Sequence, residues 1–127
     1  LIDQSGQMVS LSDYVGKNKL VLIDFWASWC QPCIQEIPNL IKTYNAYKSK
    51  GLEIVGISVD DDKNKWTAAV QNYKMTWVQL ADATTMASQL YGVQSIPHTL
   101  LIDQNGVVIA TDLRGKELED KIAEILK

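Results

Sequence analysis

The chain of 127 residues contains one histidine, two cysteines, three prolines and no surplus of positive charge. Each shortage excludes something. With 12 Lys and Arg against 15 Asp and Glu, the formal net charge is −3, so no basic stripe is available to hold a nucleic acid backbone. No apolar run approaches the roughly 18 residues of a membrane-spanning helix; Leu20–Ile23 is short and sits inside a strand pattern. No basic, hydrophobic and small-residue series reads as a signal peptide, and the chain opens at Leu1. The expectation is a domain excised from a longer protein, with any membrane tether outside it. Two cysteines are too few for the disulfide framework of a small secreted scaffold. Because Cys30 and Cys33 close almost no loop, a bond between them adds little stability through chain entropy. That spacing points to chemistry instead.

What is present is a regular alternation of strand and helix patterns, with 46% hydrophobic residues to build one core. Leu1–Leu11 reads as a short hairpin turning at Ser5-Gly6, and Ser12 and Asp13 as the cap of a helical turn ending near Gly16. Leu20–Phe25, apolar but for Asp24, reads as a strand buried on both faces. A helix is expected from about Cys30 to Lys48, where Ile37, Leu40, Ile41 and Tyr44 make one stripe. Pro32 fits its first turn and Pro38 should kink it. Leu52–Val59 is a second buried strand. Asp60-Asp61-Asp62 lacks the further ligands of a calcium loop and reads as a solvated turn whose last acid caps the next helix. That helix places Trp66, Ala69, Val70 and Tyr73 on its buried face.

Trp77–Leu80 then reads as a strand and Thr84–Tyr91 as a short helix stopped by Gly92. His98–Asp103 and Val107–Thr111 form a hairpin through Asn105-Gly106, and Leu118, Ile122, Ile125 and Leu126 mark a closing amphipathic helix. Trp26, Trp66, Trp77 and the tyrosines fall at core-compatible spacing and read as packing. The whole predicts one α/β domain over 1–127, a mostly parallel sheet covered on both faces and ended by an antiparallel hairpin.

A Cys-x-x-Cys pair at a strand-to-helix junction has a physical logic. Cys30 sits where unpaired helix N–H groups favour an anion and so promote its thiolate. Cys33, one turn along, is near enough to displace a mixed disulfide and is expected to be the more shielded of the two. A zinc site needs a second such pair or added histidines, and only the distant His98 is available. A haem attachment needs His after the second cysteine, where Ile34 stands.

Asp24-Phe25-Trp26-Ala27-Ser28-Trp29-Cys30-Gln31-Pro32-Cys33 resembles the active-site stretch of the thioredoxin superfamily, and Ser95-Ile96-Pro97-His98-Thr99 resembles its cis-proline loop. The segment Cys33–Pro38, the opening hairpin and the additional βα unit resemble the extracytoplasmic TlpA/ResA-type branch. The resemblance implies a three-layer α/β fold: a mixed central sheet flanked by helices, with an N-terminal hairpin and a central βα insertion. It implies a thiol-disulfide oxidoreductase outside the cytoplasm, acting as a monomer on protein thiols and disulfides. Electrons would come from a partner thiol protein rather than a bound cofactor. By the same resemblance, Cys30 and Cys33 are the redox pair, and Asp24 and Glu36 are the candidate proton relays. Trp29, Pro32, Ile96 and Pro97, the last in a cis bond, shape the substrate surface. His98 stands outside this set. Two other readings are a redox-inactive binding module and a thiol peroxidase, though the peroxidatic Thr-x-x-Cys pattern is missing at Ala27–Cys30.

Overall fold

Seven successive residues, Leu20–Trp26, are all buried, and they form the strand β2 on which the other elements assemble. The computed structural model describes residues 1–82 and 84–126. Along β2 the side chains alternate between two cores: Leu20, Leu22 and Trp26 face one, Val21, Ile23 and Phe25 the other. Burial on both faces explains the unbroken apolar run.

The sheet is built outward from β2. Besides β2 it contains β1 (Ile2–Asp3), β3 (Leu52–Ser58), β4 (Val78–Ala81), β5 (His98–Asp103) and β6 (Val108–Thr111), in the order β1-β4-β3-β2-β5-β6. Only β2–β3 and β3–β4 are parallel; β1–β4, β2–β5 and β5–β6 are antiparallel. The sheet is therefore mixed rather than mostly parallel. Between β4 and β5 the chain holds one helix of 5 residues, α3 (Met86–Leu90), too short to carry it back along the sheet. β5 accordingly enters from the end where β2, β3 and β4 finish.

Three helices cover the first core: α1 (Gln31–Tyr47), α2 (Lys63–Asn72) and α4 (Gly115–Ile125). They contribute Cys33, Ile37 and Leu40; Trp66, Ala69 and Val70; and Leu118 and Ile122. α1 runs through Pro38 as one helix of 17 residues, with that proline on its exposed side. Two residues assigned to buried faces lie outside them. Tyr73 caps the end of α2, past its last full turn, and is exposed. Ile125, the final residue of α4, lines a surface cleft with Lys19 and Lys50.

The second core is roofed by the chain's opening segment, from which Leu11, Val9, Tyr14 and Val15 pack inward, and by Val93 and Ile96. The opening hairpin closes through Asp3 N–H to Gln7 O and Val9 N–H to Leu1 O, both 2.9 Å. Its first arm is β1; the second meets it through a single antiparallel bridge, Met8 to Ile2, and Val9 then packs against the second core. At the opposite edge β6 leaves Val108 and Ile109 exposed, and Val107 just before it is exposed as well.

Candidate active site

β2 ends at Trp26, and Cys30 is the N-cap residue of α1, with φ −90° and ψ 104°. Its Sγ accepts a hydrogen bond from the Cys33 N–H at 3.3 Å. The first N–H groups of a helix have no partner within it, and a side-chain acceptor at the cap normally satisfies one. Here a sulfur takes that place. Pro32 occupies the first turn, where its missing N–H forfeits nothing.

Cys30 and Cys33 are joined in a disulfide, their Cα atoms 5.2 Å apart. The two are covered almost equally, at 5% and 4% exposed, in contrast to the greater shielding expected for Cys33. In the closed disulfide both belong to the same apolar cluster.

The neighbouring surface is formed by two loops. Trp29 is 63% exposed and so is no core residue. It borders a groove of about 530 Å³ that Val59, Ser88, Val93, Ser95 and Ile96 also line. The Ile96–Pro97 peptide is cis, with Pro97 buried and Ile96 half-buried. Pro32 lies exposed beside the cysteines in sequence. His98 pairs with Asp112, Nδ1 to Oδ1 at 2.9 Å, and stands opposite Phe25 in the β2–β5 ladder.

Asp24 faces the same core as the cysteines, since it alternates with Leu22 and Trp26 on β2. Burial, and next the negative charge of Glu36, push its carboxyl up to about 7. Glu36 lies one turn beyond Cys33 on α1 and is half-buried, not a free surface acid. Its Oε1 accepts from the Gly115 N–H at 2.6 Å and from Asn39 Nδ2 at 3.2 Å. The carboxylate thus sits at the N-terminus of α4, where the helix dipole favours a negative charge.

Two acids of the Asp60-Asp61-Asp62 run differ sharply in their surroundings. Asp62 caps α2 as expected, accepting from the Asn64 N–H at 2.9 Å. Asp60, however, is buried rather than solvated. Its carboxylate accepts from the Ser28 N–H at 3.0 Å, the Ser28 hydroxyl at 2.6 Å and the Ser58 hydroxyl at 2.6 Å. This ties the loop entering Cys30 to the end of β3. No local signal in the sequence marks it, because Ser28 lies 32 residues away. Asp60→Ala strands three donors, and the expected loss is roughly 2–4 kcal/mol in chemical unfolding. A second expected effect is faster alkylation of reduced Cys30 as its loop loosens; unchanged stability would mean these bonds contribute little.

A mixed sheet, a disulfide at a strand-to-helix junction and a facing cis-proline loop define a thiol-disulfide oxidoreductase of thioredoxin-like fold. The chain belongs to the AhpC/TSA family, whose model matches residues 1–111, and its relatives there are ResA-type thiol-disulfide oxidoreductases. It is 34% identical over 129 residues to the thiol-disulfide oxidoreductase ResA of Geobacillus kaustophilus, covering 100% of this chain and 73% of that protein. To ResA of Bacillus thuringiensis subsp. konkukian it is 32% identical over 125 residues, covering 98% and 70%. Among solved structures it is similar to the thioredoxin domain of a Bacteroides vulgatus thiol-disulfide oxidoreductase. That likeness has a TM-score of 0.89, 36% identity, and covers 99% of this chain and 91% of the other. A thiol:disulfide interchange protein from Bacteroides sp. matches at a TM-score of 0.87 and 38% identity, covering 98% and 83%. Among the described residues no helix is long and apolar enough to cross a membrane.

Proposed function

We propose that residues 1–127 act as one reductase unit that opens protein disulfides through a mixed-disulfide intermediate. The observation that carries this reading is the Cys30 sulfur at the α1 N-cap, accepting the Cys33 N–H beside an exposed tryptophan. A thiolate at that atom keeps the N–H and the positive end of the helix dipole.

In the reduced protein the Cys30 thiolate attacks one sulfur of a substrate disulfide. The Cys30–substrate bond forms, the substrate's own S–S bond breaks, and the released thiolate takes a proton. Asp24, buried on the same core face, accepts the Cys33 proton; Glu36, bound to the start of α4, biases Asp24 toward its neutral form. Cys33 then attacks Cys30, the Cys30–Cys33 bond closes, and the substrate leaves as a dithiol. The protein has lost two electrons and the substrate has gained them.

Trp29 and Ile96 border the groove that receives the substrate chain, with Pro32 between the two cysteines and the cis Pro97 directly after Ile96. Ile96 offers its backbone to an extended peptide. A partner thiol protein regenerates the dithiol. A setting outside the cytoplasm, with the domain monomeric, suits a protein of this chemistry. The test is insulin reduction with dithiothreitol as electron source. Wild type should accelerate precipitation of the insulin B chain and Cys30→Ser should fall to the uncatalysed rate; equal rates would remove Cys30 from the reaction.

A further inference from the structure

Residues 112–115 join β6 to α4 and hold two other elements at once. Toward β5, the Asp112 N–H donates to Thr99 O at 2.8 Å and the Thr99 hydroxyl donates to Leu113 O at 2.8 Å. Asp112 Oδ1 also lies 2.9 Å from His98 Nδ1. Toward α1, the Gly115 N–H donates to Glu36 Oε1 at 2.6 Å, and Gly115 O accepts from Asn39 Nδ2 at 3.2 Å. Leu113, between the two sets of bonds, packs against the first core. α1 is capped by Cys30 and carries Cys33, while β5 begins at His98, directly after Ile96 and Pro97. This clasp therefore ties the start of β5 to the helix of the cysteines.

Asp112 adopts φ 59°, in the left-handed region that glycine enters freely and a residue with a Cβ enters at a cost. Glycine would serve that backbone better. What the aspartate adds is an acceptor: among the described residues, the one polar contact of its side chain is with His98. The His98 ring is otherwise packed against Phe25, centroid to centroid 6.2 Å, in the second core that Val93 and Ile96 roof. The imidazole is thus held at two points, by an apolar ring and by a carboxylate. With that carboxylate beside Nδ1, the neutral ring keeps its proton on the same nitrogen, so the bond does not require a charged imidazole.

We infer that Asp112, acting through His98, is a positioning residue for substrate: the pair pins the first residue of β5 and so fixes the Ile96 peptide against which a bound chain aligns. This rests on the reading that Ile96 offers its backbone to the substrate. A pinned edge needs no ordering when a chain arrives, whereas a loose one is ordered at each encounter at the expense of affinity. His98 projects with its ladder partner Phe25 toward the second core, and the cysteines belong to the first. The pair therefore acts on binding and leaves the sulfur exchange itself untouched.

The experiment compares a disulfide-bonded peptide with N,N′-diacetylcystine, the same kind of disulfide without a chain to align, using dithiothreitol as electron source. Asp112→Gly relaxes the backbone and removes the acceptor. Its KM for the peptide should rise up to roughly tenfold, the worth of one mis-set peptide hydrogen bond, with kcat kept. Its reduction of diacetylcystine should match wild type. Asp112→Asn tolerates the same φ and still offers an oxygen to His98, so it should keep the wild-type KM. His98→Phe preserves the ring against Phe25 and removes the donor; it should equal Asp112→Gly, and the double variant should be no worse than either. A pair that only stabilises the fold would lower the melting temperature and leave KM alone. A wild-type KM in Asp112→Gly, a KM raised as far in Asp112→Asn, or additive effects of the two single changes would overturn the inference. Should His98→Phe not fold, the two Asp112 variants decide alone. Wild-type protein that reduces both disulfides with the same kcat/KM would instead remove the reading of Ile96 as a peptide-binding edge, and the inference with it.

Discussion

A Cys33→Ser variant, mixed with a disulfide-bonded protein, should accumulate a covalent complex linked through Cys30 to one substrate cysteine. The reason is geometric. Cys33 is held one helical turn from Cys30, and a reactant fixed at that range acts as if present at very high concentration. Serine keeps the size of the side chain and cannot take over the sulfur exchange. The intermediate then waits for an external thiol, and turnover should fall by roughly a thousandfold or more. The complex is visible as a higher-mass band on a non-reducing gel that disappears with dithiothreitol, and its mass identifies the linkage. Absence of the adduct, with Cys30 still open to alkylation, would end the mixed-disulfide route for this protein.

Asp24→Asn should make the oxidised protein more stable at alkaline pH while slowing its reaction. With the Asp24 carboxyl raised to about 7, the folded protein retains a proton that the unfolded chain gives up near its ordinary value of 3.8. Stability therefore declines as pH rises through that window, in the direction set by the folded state binding more protons. Below the window the acid is neutral in both states and imposes no penalty. Above it the folded state holds a buried carboxylate at an expense of roughly 4 kcal/mol. Asparagine does not ionise, so the variant should match wild type only in acid below that window, pull ahead through it, and exceed wild type by up to that amount above about pH 8. Denaturant unfolding at a series of pH values measures the difference. If Asp24 also carries the Cys33 proton, its loss should slow insulin reduction on the order of a hundredfold. A variant no more stable than wild type in alkali would mean that the carboxyl is not desolvated as described.

Much of this was readable in the chain itself, for local reasons. The strand β2 announced its double burial by an apolar run, α1 by a stripe at helical spacing, and the cysteines by their place between them. Asp24 could be singled out because a charged residue inside such a run has no solvent to face. What escaped was non-local. Asp60 looked solvated among three successive acids, and it is buried only because Ser28 and Ser58 arrive from other elements to satisfy it. The direction of β5 depended on how short α3 is, and the exposure of Tyr73 on where α2 stops. Glu36 could be placed near Cys33 from its spacing, but its partner Gly115 lies 79 residues on. The clasp at residues 112–115 exists only once the fold is assembled, since its partners come from β5 and α1.

Three of the four indoles, Trp26, Trp66 and Trp77, are sealed within the protein, while Trp29 stands in water next to Cys30. Aqueous quenchers such as iodide can therefore reach the emission of one fluorophore, and it is the one bordering the groove. Any polypeptide that settles there shields it, which gives docking an optical signal independent of electron transfer.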